Sequence, residues 1–210
     1  MRKVNFYRTE SGKSPVEDFL DSLSGKQAQK VVWVLRLIEE LDIVPGQYLK
    51  KLVNSDDIWE VRVQFGGDIF RLLGFFDGVT LLILTNDFAK KSQKTPRPEI
   101  ELATRRKMSI YPGREKMSDV KRYTAKRIKT DVEFADGFEV GYANFKIGVM
   151  LRQAREAAGL TQEEVARQLN TTKSAISRIE NHAEDIRLST LNRYAKAVGA
   201  NLQIRLARAA

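Results

Sequence analysis

The chain has 210 residues, 42% of them hydrophobic and 30% charged, which is an ordinary globular composition and enough length for two small domains. It has no cysteine, no apolar run of about 18 residues and no apolar leader, so we expect a cytoplasmic protein without disulfides, thiolate metal sites or membrane spans. The formal net charge of +9 favours polyanionic partners, and the alternative on charge alone is a generally soluble basic surface.

In the first half of the chain, hydrophobic periodicity predicts a strand, two helices, three strands and a further helix. Alternating apolar positions predict the strands, and apolar positions three or four residues apart predict the helices. The predicted elements are a strand from Lys3 to Arg8, helices from Ser14 to Gly25 and from Lys26 to Asp42, strands at 58–64, 69–76 and 79–85, and a helix from Pro96 to about Tyr111. Turns at Gly66-Gly67 and Asp77-Gly78 make the three strands an antiparallel meander in an α+β domain.

Pro112-Gly113 marks a boundary between this domain and a second one. We predict domains at residues 1–111 and 131–210, with residues 112–130 as a linker or as the N-terminus of the second domain, for which Met117 is a possible internal start. Large apolar side chains then recur at helical spacing and predict one helix between residues 131 and 152. They are Phe134, Phe138, Tyr142, Phe145 and Val149, and they cover either the first domain or a partner.

Residues 151–180 have the pattern of two short helices around a tight turn, which is typical of a DNA-binding helix-turn-helix. Thr161 caps the first helix in a capping box with Glu164, and Thr172 caps the second. Buried positions at Ile176 and Ile179 leave an outward face of short polar and basic side chains that can reach base edges. The predicted DNA-binding residues are Gln162, Thr172, Lys173, Ser174, Ala175, Ser177 and Arg178. The alternative is a structural helical bundle with a solvated polar face.

The letters GLTQEEVARQLNTTKSAISRIEN resemble the Cro/C1-type (xenobiotic-response-element) helix-turn-helix family. The tail that follows, with a fourth helix and a last strand up to about residue 205, resembles the HigA antitoxins. The resemblance implies a homodimer that binds a palindromic operator and represses its own promoter. The only histidine, His182, is expected to be a helix cap or a surface group, and we expect no metal and no cofactor.

The run DIWEVRVQFGGDIFRLLGFFDGVTLLILTNDFAKKSQKTPRPEIELATRR is similar to the phage-derived Gp49-like HigB toxins of the RelE/ParE superfamily. The similarity covers about residues 1–111 and implies a RelE-like sheet with helices. It also implies an endoribonuclease that binds and cuts messenger RNA, usually on the ribosome, and that its antitoxin neutralises.

RNA cleavage without a metal needs an acid, a base and cations on one surface. The predicted catalytic residues are Arg62, Arg71, Lys90, Lys91 and Glu60, which neighbouring strands and the loop after the third strand can bring to one edge of the sheet. Asn86 stands where some HigB relatives have a catalytic histidine, so a lysine with a lowered pKa is the candidate for proton transfer. Alternatively, the lysines form an RNA-binding loop and Glu60 only pairs with the arginines.

The leading hypothesis is a toxin–antitoxin module in one chain, in which the aromatic helix and the basic segment Lys121 to Lys129 mask the enzyme. The alternative is a DNA-binding transcription regulator whose first domain is a catalytically inactive interaction module. A third possibility is a gyrase-targeting domain of the ParE type, which has the same fold.

Overall fold

The structure is a computed structural model that describes residues 2–53, 55–86, 95–108, 118–184 and 186–204. The chain forms two compact units, residues 1–138 and 139–210. The first unit holds a five-stranded sheet with helices on both faces, and the second unit holds helices. This arrangement confirms the predicted fold class of an α+β half followed by a helical helix-turn-helix half.

The strands and helices of the first unit follow the predicted order closely. They are β1 (Lys3–Phe6), α1 (Pro15–Ser22), α2 (Gly25–Glu40), β2 (Leu49–Lys51), β3 (Trp59–Phe65), β4 (Asp68–Asp77), β5 (Thr80–Asn86), α3 (Arg97–Met108), α4 (Asp119–Thr130) and α5 (Val132–Ala135). Ser14 and Ser24 cap α1 and α2 through their side chains, which fixes where both helices begin. Strand β2 was not predicted, because three residues are too few to show an alternating pattern.

The strand order in the sheet is β1-β5-β4-β3-β2. Strands β3, β4 and β5 form the predicted antiparallel meander, and β1 adds to β5 in parallel, so the whole sheet is mixed. Gly66-Gly67 joins β3 to β4 as predicted. The second turn is Gly78-Val79, one residue later than predicted, because Asp77 still pairs with Thr80 in the ladder.

The two faces of the sheet are covered by different helices. Helices α1 and α2 pack on one face, where the ring of Phe19 meets that of Phe70 with centroids 6.0 Å apart. Helix α3 packs on the other face, where Ala103 is buried against Ile58 and Leu73. Side chains of consecutive strand residues point to opposite faces, so every strand contributes to both layers.

Residues 118–138 pack within the first unit. Ser118 caps α4, and both α4 and α5 lie against α2. The sequence predicts residues 112–130 as a linker or as the N-terminus of the second domain, and it predicts no helix before residue 131. Helix α4 was missed because its buried face includes the charged residue Arg127 and has few large apolar positions. The predicted domains, residues 1–111 and 131–210, refer to functional modules and not to compact units, and they stay a prediction.

The predicted helix over residues 131–152 is divided in two. Helix α5 ends at Ala135, Gly137 has a φ of +66°, and α6 (Phe138–Ala157) begins immediately afterwards. A residue in this left-handed conformation ends a helix, and glycine adopts it without steric cost. The aromatic stripe is nevertheless buried along its whole length.

The second unit contains the rest of α6 together with α7 (Gln162–Gln168), α8 (Lys173–Asn181) and α9 (Leu188–Ala197). Its core joins all four helices and includes Val165, Ile176 and Tyr194. The predicted last strand is wrong as far as the structure describes it, because residues 201–204 have no regular structure and are exposed. None of the helices within the described residues is long and apolar enough to cross a bilayer.

Candidate functional site

The predicted catalytic residues of the sheet share one face. Arg62 lies directly opposite Arg71 on the neighbouring strand, and Glu60 lies two residues before Arg62 on β3. Because side chains alternate along a strand and directly opposed residues point the same way, all three point to one face. It is the face that carries α3, since Leu73, opposite Glu60, packs against that helix.

Glu60 is the centre of a buried polar group that we call the Glu60 cluster and that comprises Glu60, Arg62, Arg71 and Thr95. The Glu60 carboxylate accepts hydrogen bonds from Arg71 Nη1 at 2.7 Å, from Arg62 Nε and from the Thr95 hydroxyl. Arg71 Nη1 also donates to Thr95 Oγ1 at 3.2 Å. One carboxylate therefore fixes two guanidinium groups and the residue that follows the lysine-rich loop.

The environment of Glu60 keeps its carboxylate ionised. Burial alone would raise the pKa of Glu60, but the hydrogen bonds from Thr95, Arg62 and Arg71 outweigh burial and lower the pKa below its usual value. A carboxylate with a lowered pKa and with both oxygens engaged is a weak base. The geometry therefore favours Glu60 as a group that holds the arginines in place.

The two arginines differ in exposure, and the difference decides which of them can reach a ligand. The side chain of Arg71 is 7% exposed, whereas that of Arg62 is 35% exposed. The cluster carries two positive charges against one negative charge. Arg62 can therefore present charge to a phosphate at the surface, while Arg71 supports the cluster from within.

Two of the predicted catalytic residues, Lys90 and Lys91, lie outside the described residues. Thr95, which follows them in the chain, was not among the predicted residues. Nothing in the sequence pairs it with Glu60 or Arg71, because it lies 35 and 24 residues away from them. Only the fold brings it to the cluster.

In the second unit, the helix-turn-helix has the predicted caps and turn. Thr161 caps α7 in a complete capping box with Glu164, and Thr172 caps α8 through a hydrogen bond from Ala175 N. Asn170 has a φ of +52° in the turn between them, a conformation that asparagine tolerates. Ile176 is fully buried, so the rotation of α8 about its axis is fixed as predicted.

This rotation turns the predicted DNA-binding side chains of α8 outward. Thr172, Lys173, Ser174 and Arg178 are exposed, and Ala175 and Ser177 are half-buried on the same helix. Such a face at the N-terminal end of a second helix is the surface that a helix-turn-helix presents to the major groove. The N-terminal end also carries the positive end of the helix dipole, which favours phosphate.

Gln162 has a structural partner besides its predicted contact with DNA. Its amide donates to Glu180 at 2.9 Å, and the buried carboxylate of Glu180 also accepts from Arg155 at 2.6 Å and from the Tyr194 hydroxyl at 2.7 Å. Burial alone would raise the pKa of Glu180, but these hydrogen bonds outweigh it and lower the pKa to about 2. Glu180 therefore fixes α8 relative to the three other helices.

Comparisons with known proteins divide the chain in the same way. Residues 18–108 match the family model described as phage-derived protein Gp49-like, and residues 146–208 match a helix-turn-helix domain model. No curated protein matches the chain. The pairing of these two domains supports a toxin–antitoxin or DNA-binding regulatory role. The two matches agree with the arrangement that the sequence indicated, a toxin-like first half followed by a helix-turn-helix domain.

Proposed function

We propose that the chain is a HigB/HigA-type toxin–antitoxin module whose first half cuts messenger RNA and whose second half neutralises it and represses its own promoter. The observation that carries the enzymatic part is the Glu60 cluster, in which a buried carboxylate holds two arginines on one face of the sheet. An oriented guanidinium group that reaches the surface, as that of Arg62 does, is suited to the charge that develops on a phosphate during cleavage.

The proposed reaction is an attack of the RNA 2′-oxygen on the adjacent phosphorus. The 2′-hydroxyl gives up its proton to a base as a bond forms between the 2′-oxygen and phosphorus. The bond from phosphorus to the 5′-oxygen breaks, and the leaving 5′-oxygen takes up a proton from an acid, so that no net proton is gained or lost. Arg62 stabilises the negative charge on the phosphate oxygens, and Arg71 and Glu60 hold Arg62 in place. Lys90 and Lys91 are the proposed groups for binding RNA and for proton transfer, because Glu60 is a weak base in its surroundings.

The test of the enzymatic part is in-cell sequencing of RNA ends after induction of two fragments, the compact unit 1–138 and the shorter 1–111. New cleavage ends are expected from at least one fragment, and Arg62→Ala should abolish them. Arg36→Ala is the matched control, because Arg36 is 30% exposed and pairs with Glu40 at 2.9 Å on α2, away from the cluster. If both fragments are folded and soluble but produce no new RNA cleavage ends, the proposal is contradicted.

For the second half we propose that a homodimer binds a palindromic operator through α8. Lys173 and Arg178 are exposed on the face that would meet the major groove, so each is expected to contribute to binding. Lys173→Ala or Arg178→Ala should weaken binding of the full chain to its own promoter DNA by roughly 5- to 150-fold, the equivalent of about 1–3 kcal/mol. Lys196→Ala on α9 is the control. An equal loss of DNA affinity in the control and in the α8 variants would contradict the proposal that α8 forms the DNA interface.

A second candidate function is a transcription regulator whose first half binds partners without cutting RNA. Asn86 at the end of β5 favours it, because some HigB relatives have a catalytic histidine at the matching position. Ribosome dependence and a cytoplasmic location belong to the leading proposal. A first unit that binds RNA in an Arg62-dependent way but produces no cleaved ends would favour the second candidate.

A further inference from the structure

The outer edge of the sheet is closed by carboxylates from outside the sheet. Strand β1 pairs with β5 on one side only, so the N–H groups of Val4 and Phe6 point away from the sheet. Val4 N donates to the carboxylate of Glu39 at 2.8 Å, and Phe6 N donates to that of Asp119 at 2.8 Å. Unpaired strand edges recruit other chains, so Asp119 protects a surface that would otherwise bind a partner.

Asp119 is the first residue of α4, and this helix is anchored to α1 along its length. The hydroxyl of Tyr123 donates to Asp21 at 2.9 Å, and Arg127 Nη2 donates to the Leu23 carbonyl at 2.9 Å. Arg127 Nη1 also donates to the carbonyl of Leu20. A buried cation at the C-terminal end of α1 matches the negative end of that helix dipole. Tyr123 itself is 2% exposed, so the contact excludes water.

The following helix, α5, contacts the beginning of α2. Gly25 N donates to the carboxylate of Glu133 at 2.9 Å, and Gln29 donates to the Phe134 carbonyl at 2.9 Å. A side chain at Gly25 would lie 2.6 Å from the backbone of Phe134, so the two helices are as close as their backbones permit. Phe134 is fully buried, and the Phe138 ring packs on Trp33 with centroids 6.2 Å apart.

These contacts place residues 118–138, which we call the arm, on the side of the sheet that carries α1 and α2. The Glu60 cluster points to the side that carries α3. Within the described residues, the arm and the cluster therefore lie on opposite sides of the sheet. The hypothesis that Lys121 to Lys129 mask the cluster by covering it has no support in these contacts.

We propose that the arm is a self-contained binding segment, and that the α1–α2–β1 side of the first unit is its docking surface. The segment has the three parts that a binding site needs: buried aromatic anchors, charged hydrogen bonds in buried positions, and a rim of ion pairs such as that of Lys26 with Asp136. If the chain is cut between residues 108 and 118, the arm should therefore keep the two pieces bound to each other without a covalent link. The inference needs no ribonuclease activity.

The test uses the full chain with a site-specific protease sequence placed within residues 109–117. After cutting, native mass spectrometry and gel filtration at micromolar concentration should show one complex of the two pieces. A synthetic peptide of residues 118–138 in excess should displace the helix-turn-helix piece. Separation or precipitation of the pieces on cutting would overturn the proposal. A complex that survives the peptide would also overturn it, because other contacts would then hold the pieces.

A variant tests whether the edge contact contributes. Asp119→Ala removes the acceptor for Phe6 N and one partner of Arg122, which also pairs with Glu17. The affinity of the cut pieces for each other should therefore fall by roughly tenfold or more. Glu163→Ala, an exposed acid on α7, should leave the affinity unchanged. If uncut Asp119→Ala does not fold, Tyr123→Phe replaces it, because this change removes only the hydroxyl that donates to Asp21. Unchanged affinity in the folded variant would contradict the assigned surface.

Discussion

A single carboxylate, that of Glu180, connects helix α8 to helices α6, α7 and α9. Arg155 is buried beside it and donates two hydrogen bonds, from Nε and Nη2. Removing one partner of a buried ion pair leaves the other charge without compensation and costs more than the pair contributes. The orientation of α8, and with it any DNA contact, therefore depends on a residue that touches no DNA.

We expect Glu180→Gln to destabilise the second unit by about 3 kcal/mol, the free energy that corresponds to the lowering of the Glu180 pKa to about 2. Hydrogen exchange of peptides from α7 to α9, measured by mass spectrometry on the full chain, reports this unit separately. Glu184→Gln is the matched control, since Glu184 is exposed in the same unit. Equal exchange in the two variants would contradict the structural role of Glu180.

The same pair predicts a dependence on pH. The folded-state pKa of Glu180 lies below the unfolded value of about 4.3, so its stabilisation is complete above about pH 5 and is lost as the pH falls towards 2. The difference in urea midpoint between the wild-type chain and Glu180→Gln, followed by circular dichroism, should be full at pH 7 and vanish near pH 2. A difference that does not change with pH would exclude the ionised carboxylate as its source.

Thr95 shows at the scale of one residue what sequence patterns cannot predict. The two-residue spacing of Glu60 and Arg62 on a strand makes their contact predictable, and Arg71 follows from the hairpin between β3 and β4. Thr95 reaches Glu60 because α3, which follows it in the chain, packs on the face of the sheet that carries Glu60. A single threonine beside several lysines has no spacing in the sequence that predicts such a contact.

If the first unit cuts RNA, Thr95→Val should lower kcat by roughly tenfold and leave KM nearly unchanged. The loss of the hydroxyl removes a hydrogen bond that holds Glu60, and through Glu60 the arginines, without removing a contact to RNA. Thr95→Ser keeps the hydroxyl and should restore the rate. Thr104→Val, which removes a hydroxyl from α3, is the control. A serine variant as slow as the valine variant would show that the methyl group matters instead.

At the scale of whole elements, apolar periodicity predicted burial better than it predicted continuity. The stripe from Phe134 to Val149 is buried as a helical face would be, yet the helix is interrupted at Gly137. The spacing does not reveal the break, because α5 and α6 both keep their apolar residues buried. Helix α4 was not predicted, because polar contacts of Asp119 and Arg127 do much of the anchoring there and leave little apolar periodicity in the sequence.

Gly137→Ala should destabilise the first unit by about 1–2 kcal/mol, because an alanine at a φ of +66° is strained. Both tryptophans of the chain, Trp33 and Trp59, lie in this unit, so urea unfolding followed by tryptophan fluorescence reports it alone. Gly46→Ala is the control, because Gly46 has no positive φ and nothing within 4 Å of an added Cβ atom. Equal urea midpoints for the two variants would contradict the prediction, because they would show that the left-handed conformation at Gly137 does not strain an alanine.

At the scale of the whole molecule, the net charge of +9 fits two nucleic-acid partners. Composition alone could not divide this charge between them, because both halves of the chain are mildly basic. The structure permits a division, since Arg62 belongs to the Glu60 cluster of the first unit whereas Lys173 and Arg178 are exposed on α8 of the second. Each phosphate contact that a cation makes adds about 0.9 to the magnitude of the slope of log affinity against log salt concentration.

This division predicts how salt affects DNA binding by the full chain. If Lys173 or Arg178 contacts phosphate, its replacement by alanine should reduce the magnitude of the salt slope by about one. If the side chain contacts a base edge instead, the replacement should lower affinity for the operator and leave affinity for unrelated DNA unchanged. Arg62→Ala should leave the slope unchanged, because the proposed partner of its cluster is RNA. Fluorescence anisotropy at several salt concentrations, on operator and on unrelated DNA, measures all three variants. A reduced slope for Arg62→Ala would mean that the first unit also binds the operator, so that the two halves share one nucleic-acid partner.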